Sequence, residues 1–380
     1  MRALDAARET CEAFLPGLQD QLAALELDEL EGPESSAIAL FRAAGGPGLV
    51  IPRAYAGAGA DPLQAMAVTR ALASRAPSLA VATTMHHFSV ATLFTLAESV
   101  KSSGMEWALL EGVATQRLLV ASGFAEGKPG QGILTPTMSA VKAEGGYLIN
   151  GSKKPCSLSR SFDLLTASVS VTGDDGQQEM AVLLLPRQSE GITVHPFWSS
   201  WALAGAESDE IRLTDVFADE QLLMRTDAAR DELDDLQTIG FIWFELLISS
   251  SYLGMASALV ERVFAAAKGS ESDRAAVVLR LESATLLLEG MARMIMAGEV
   301  DDVALGKTLV ARYAAQDALT DTVNRAVELL GGMAFISSPE VAYLAAVTHA
   351  LAFHPPSRGS FTVPFLAHVG GQPLRLGSGS

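Results

Sequence analysis

Cysteine is nearly absent: the 380 residues hold two, Cys11 and Cys156. Far apart and without partner spacing, they offer neither a disulfide framework nor a thiolate metal site, so a reducing compartment, the cytoplasm, is expected. Basic charge is also scarce. Against 44 Asp and Glu stand 27 Lys and Arg, a formal net charge of −17. No Lys/Arg run is available to neutralise a phosphate backbone, which excludes nucleic acid as a partner. Charged residues of all kinds make up 19% and hydrophobic ones 49%, a balance that fills a core and excludes intrinsic disorder. Long apolar runs are missing apart from Phe241 to Val260, and that stretch carries Glu245 and the triplet Ser249, Ser250, Ser251. It reads as a buried bundle helix, and no membrane span is expected. The first residues, MRALDAARETCEAF, lack the apolar segment of a secretory signal.

Several catalytic signatures are missing as well. Gly123-Phe-Ala-Glu-Gly127-Lys128-Pro129 falls one residue short of a phosphate-binding P-loop and puts proline where the magnesium ligand belongs. There is no serine between glycines on a nucleophile elbow and no glycine-rich strand-to-helix turn for a nicotinamide dinucleotide. None of the six histidines forms an i,i+4 pair beside a carboxylate, so no metal centre is expected.

What is present is a change of period along the chain. Residues 1–118 carry helical spacing, as in Leu18, Leu22 and Leu25. From about 119 short β-type runs take over, among them Gly146-Tyr-Leu-Ile-Asn150 and Met180-Ala-Val-Leu-Leu-Leu185, split by turns at Gly145 and at 173–176. Hairpin-type loops predict antiparallel pairing. Beyond Asp215 long Ala/Leu/Met-rich helical segments return at about 233–268, 273–297, 301–331 and 339–353, with an N-cap at Asp301 or Asp302 and a stop at Gly331-Gly332. The expected fold class is α+β: an N-terminal helical domain (1–118), a middle antiparallel β domain (119–230) and a C-terminal four-helix bundle (231–370). Residues 371–380 form a tail whose Gly-Ser-Gly-Ser end reads as linker.

Four strings in order carry a resemblance. Gly48-Leu-Val-Ile-Pro52 with Tyr55-Ala-Gly57-Ala-Gly59, Gly146-Tyr-Leu-Ile-Asn150-Gly151-Ser-Lys153, Asp209-Glu-Ile-Arg-Leu-Thr-Asp215-Val216, and Glu328-Leu-Leu-Gly331-Gly332-Met-Ala-Phe335 with Ser338-Pro339 resemble the acyl-CoA dehydrogenase family from about residue 40 to 360. The resemblance implies FAD between sheet and bundle, with the Ser157 hydroxyl beside the flavin N5. It places Glu126 and Gln131 in the cofactor loop and Glu328, Gly331 and Gly332 at the nucleotide half. It implies an oxidoreductase acting on CH-CH groups of an acyl thioester, carried by CoA or an acyl carrier protein, in a specialised biosynthetic pathway.

Departures from the pattern open alternatives. The loop Ala125-Glu126-Gly-Lys-Pro-Gly130-Gln131 lacks two hydroxyls that the family uses for phosphate. Counted from Pro339, the family's catalytic glutamate position holds His354; the site that a subset of the family uses instead holds Phe244, with Glu245 one residue on. His354 and Glu245 are therefore the catalytic candidates, and His86, His87 and Arg358 the substrate-binding ones. An imidazole at its ordinary pKa of about 6.5 would be half-titrated near neutral pH. Histidine in place of glutamate favours a flavin-dependent monooxygenase of the same fold, while the lost phosphate ligands favour a flavin-free non-redox or scaffold relative. The broad apolar faces of 241–260 and 277–296 predict a homodimer or homotetramer.

Overall fold

The computed structural model describes residues 1–98, 104–127, 135–173, 176–225, 233 and 235–376. Seven helices come first: α1 (Arg2–Phe14), α2 (Leu18–Ala23), α3 (Leu27–Glu31), α4 (Ala37–Ala43), α5 (Pro62–Ala73), α6 (Pro77–Glu98) and α7 (Met105–Gln116). Their starts follow local chemistry. At α5 the Asp61 carboxylate accepts the Gln64 N–H at 2.8 Å while Gln64 Oε1 accepts the Asp61 N–H at 3.0 Å, and Pro62 fills the first helical position.

Eight strands follow: β1 (Val120–Gly123), β2 (Ser139–Ala143), β3 (Gly146–Cys156), β4 (Leu164–Thr172), β5 (Gln178–Pro186), β6 (Ile192–His195), β7 (Asp209–Asp219) and β8 (Leu223–Arg225). They form one sheet ordered β6-β7-β3-β2-β4-β5-β8, with β1 beside β4. The sheet is mixed, which corrects the antiparallel expectation: β1 and β2 both run parallel to β4. Turn residues mark hairpins such as β2–β3, where Gly145 takes φ +76°. They say nothing of strands joined through longer connections, and those are the parallel pairs.

The chain then returns to helices: α8 (Asp235–Ala265), α9 (Glu271–Met296), α10 (Asp302–Leu330), α11 (Gly332–Ser337), α12 (Pro339–Val347) and α13 (Arg358–Val369). Asp301 caps α10 by accepting the Ala304 N–H at 2.8 Å, and Gly331 ends it at φ +82°. The expected helix over 339–353 is α12 followed by a 3-10 turn at Thr348–Phe353. Pro355-Pro356 accounts for the tightening, because a residue before proline is pushed out of helical backbone. α13 escapes a sequence reading because Pro364 lies inside it.

Two helices position everything else. The most apolar stretch of α8 is wholly buried. It packs so closely on α5 that a Cβ at Gly254 would stand 2.3 Å from the Arg70 carbonyl oxygen. α6 lies between the sheet and α8. His86 and Ser89 reach the sheet through the Val120 N–H and the Thr166 hydroxyl, while Thr84 meets Ser251 and Phe88 packs edge-on against Phe244 of α8. A helix covered on both flanks needs apolar residues all round, which is why α6 shows no polar stripe.

Candidate active site

On α8, Glu245, Ser249 and Tyr252 recur at helical spacing and share one face. Arg312 of α10 stands opposite, with its Nε 3.3 Å from Glu245 Oε2 and both side chains fully buried. The chain after α12 brings in His354, whose Nε2 lies 2.8 Å from the Tyr252 hydroxyl. Phe244 and Tyr252 both meet the imidazole edge-on, and Phe241 and Phe88 pack behind Phe244. The sequence candidates His354 and Glu245 thus belong to one cluster.

Burial governs its protonation. Burial, aided by the Arg312 charge, pulls His354 down to about 3. The half-titrated imidazole expected from the sequence is therefore corrected: desolvation and the nearby guanidinium favour the neutral form of His354. Burial pushes Glu245 up to about 8 against the pull of Arg312. A second buried carboxyl, Glu31, accepts the N–H and hydroxyl of Ser78 and the hydroxyl of Tyr343, joining α3, α6 and α12, and burial raises it to about 7. A carboxyl raised on folding contributes stability that is complete below its ordinary value of 4.5 and lost as pH rises through the folded value. Glu245→Gln, which lacks this dependence, is expected to gain stability relative to the unaltered protein between pH 5 and pH 9. Thermal melts across that range check it, and a constant difference contradicts it.

The sheet carries the other cluster. Ser157, just past β3, and Ser208, just before β7, are buried with their hydroxyl oxygens 3.0 Å apart. One hydroxyl of such a pair must accept, so its own proton is left for a further acceptor. That free donor fits the nitrogen- and oxygen-rich edge of a flavin ring. Glu126 is otherwise engaged. Its carboxylate takes the Lys153 ammonium and the Thr137 hydroxyl, and Lys153 also donates to Ser168 at 3.0 Å. This buried ion pair ties the chain after β1 to β3, and the Glu126 side chain is nearly inaccessible.

Other expected site residues lie apart from these clusters. His86 spends both ring nitrogens on backbone, with Nδ1 accepting from Val120 N–H at 3.0 Å and Nε2 donating to the Pro47 carbonyl at 2.9 Å. It is a packing residue, which corrects the substrate-binding expectation. Its neighbour His87 is buried edge-on against Phe41, and its Nδ1 meets no hydrogen-bonding group. Arg358 is exposed and held by Asp317 at 2.6 Å over the Tyr313 ring. Glu328 is exposed beside Arg325, Gly331 and Gly332 follow at the end of α10, and Gln131 lies outside the described residues. Sequence reasoning missed Tyr252, Arg312 and Ser208. Arg312, a lone cation in Thr308-Leu-Val-Ala-Arg-Tyr313, was the readable signal, since a buried charge needs a partner.

Comparison with known proteins agrees with this architecture. The family model for the acyl-CoA dehydrogenase middle domain matches residues 121–216. The isobutylamine N-hydroxylase of Streptomyces viridifaciens is 50% identical over 378 residues, covering 99% of this chain and 100% of that protein. Among solved structures, KijD3 in complex with FMN and a dTDP-amino-keto sugar superposes with a TM-score of 0.80 at 18% identity, covering 98% of this chain and 95% of that one. The prolyl acyl carrier protein oxidase AnaB gives 0.80 at 17% identity, covering 96% and 99%. With helices, mixed sheet and bundle in this order and an end-to-end relative at half identity, the chain belongs to the acyl-CoA dehydrogenase family of enzymes.

Proposed function

We propose that this protein is a flavin-dependent monooxygenase that hydroxylates the nitrogen of a small aliphatic primary amine. The end-to-end 50% identity to an isobutylamine N-hydroxylase carries the reading. The site supports it. Removal of a proton α to a thioester calls for an accessible carboxylate base, but the nearest carboxylate to His354 in the cluster, Glu245, is fully buried behind Arg312. A reduced flavin supplies two electrons to dioxygen, so that one oxygen atom enters the amine and the other leaves as water. Ser157 and Ser208 would hold the flavin edge. FAD is the form the family resemblance implies, whereas the KijD3 structure contains FMN.

The chain's own groups then handle the amine. Phe88, Phe241 and Phe244 make an apolar surround that favours the neutral, nucleophilic amine over its ammonium form. Among the described residues no hydrogen bond is made by His354 Nδ1, and Nε2 faces the Tyr252 hydroxyl. A neutral imidazole can accept the proton leaving the amine at one nitrogen and pass one on through the other. The test supplies purified protein with a flavin reductase, NADH, oxygen-18 gas and isobutylamine. Formation of the labelled alkylhydroxylamine is expected. Oxidation of acyl thioesters without oxygen incorporation would overturn the reading.

We also propose self-association through the outer bundle face. Leu279 and Leu286 of α9, Val303 and Val310 of α10, and Leu366 and Val369 of α13 are exposed at helical repeats. Val303, Val310 and Val369 line a groove of about 410 Å³. Exposed apolar surface that recurs on three adjacent helices marks an interface. Sedimentation at micromolar concentration is expected to show at least a dimer, and Leu286→Lys to weaken it. A 39.9-kDa monomer would contradict the proposal.

A further inference from the structure

We propose that Arg312 is a positioning residue that locks His354 against Tyr252, with Glu245 holding Arg312 in turn; this rests on His354 being the proton-handling group. The guanidinium spans two parts of the chain. One Nη donates to the Leu351 carbonyl at 2.8 Å and the His354 carbonyl at 3.0 Å, and the other to Gln316 Oε1 at 2.8 Å. Those two carbonyls belong to the end of the 3-10 turn: the Leu351 oxygen also accepts the His354 N–H at 3.2 Å, and His354 is the residue that ends the turn. A cation at a helical C-terminus is also favoured by the backbone dipole. The grip therefore fixes the backbone on which the imidazole stands.

The rear of the guanidinium is equally constrained. Its plane lies over the Tyr313 ring, 4.6 Å from the centroid. Its Nε faces Glu245, yet neither that nitrogen nor either Glu245 oxygen makes a hydrogen bond, and Ser249 Oγ one turn along α8 has none. The two groups meet by close approach, 3.3 Å from Nε to Oε2, without a hydrogen bond. Three hydrogen bonds from the two Nη atoms are made at once, which a lysine ammonium on a flexible stem cannot reproduce. The titratable and charged groups around His354 are Tyr252 from α8 and Arg312 from α10, with Glu245 behind the latter. Phe244 closes a further side.

The consequence is measurable on the whole purified protein without amine or oxygen. Histidines labelled with carbon-13 at Cε1 are followed by NMR from pH 8 to pH 5, with the His354 signal assigned by its loss in His354→Gln. In the unaltered protein His354 stays silent, since burial and Arg312 hold it at about 3. Arg312→Lys keeps the charge but loses the fork. Glu245→Gln/Arg312→Met removes the carboxyl and the guanidinium together, an exchange that buried pairs often tolerate. Both are expected to free the turn, so that His354 titrates near its ordinary value of about 6.5, and to lower kcat with an unchanged KM for the amine. A His354 that stays silent in either folded variant overturns the proposal. Loss of folding in both does so too, because it assigns the pair to the core. This titration can fail while the protein still hydroxylates amines, and succeed while it does not, so the two proposals stand or fall separately.

Discussion

Amine turnover is expected to fall by about 10²–10⁴ when His354 is replaced by glutamine, the usual contribution of a positioned acid–base group. Glutamine keeps a donor and an acceptor near the Tyr252 hydroxyl, so the change leaves local polarity nearly intact while removing the capacity to take a proton at one atom and release it at another. Flavin content should be unchanged, because the hydroxyls suited to the ring, Ser157 and Ser208, sit on the sheet. The pH profile adds a second reading. Since His354 is held at about 3, its protonation should not reduce kcat between pH 8 and pH 5. Full turnover in His354→Gln would remove the residue from the chemistry.

The largest loss of stability is expected from Lys153→Met. The ammonium is completely buried against Glu126, itself nearly inaccessible, and against Ser168. Burial lowers the Lys153 pKa, while Glu126 opposes the shift. Deleting the cation leaves a carboxylate with only the Thr137 hydroxyl, and breaking a buried pair in this way costs about 3–5 kcal/mol. Adding Glu126→Gln should restore much of that, because both charges are then gone. Denaturant melts of the two single variants and the double variant measure the coupling. Equal, additive losses would show that the pair does not act as a unit.

The sequence revealed the architecture more readily than the site. Alternation in β3 and β5, the Asp301 cap and the Gly331 stop are local, and local chemistry is legible. The count from Pro339 named His354, which the structure sets beside the Tyr252 hydroxyl. What stayed hidden depends on long-range packing. Glu126 looked like a loop ligand until Lys153, one strand away, was seen to consume it. His86 looked like half of a functional pair until the backbone of Pro47 and Val120 filled both its nitrogens. Tyr252 was passed over in an apolar helix, and Arg312 because it is one of several charged residues along α10. Their meaning comes only from the 3-10 turn that folds back onto them.

Because α6 touches the sheet on one flank and α8 on the other, it serves as a gauge block between them, and its girth, roughly 10 Å with its side chains, sets the spacing of sheet and bundle there. Small residues such as Ala80, Ala82 and Ala91 keep that girth low and are fully buried. The gap between sheet and bundle can therefore be retuned from α6 by buried residues alone, through the thickness of the wedge.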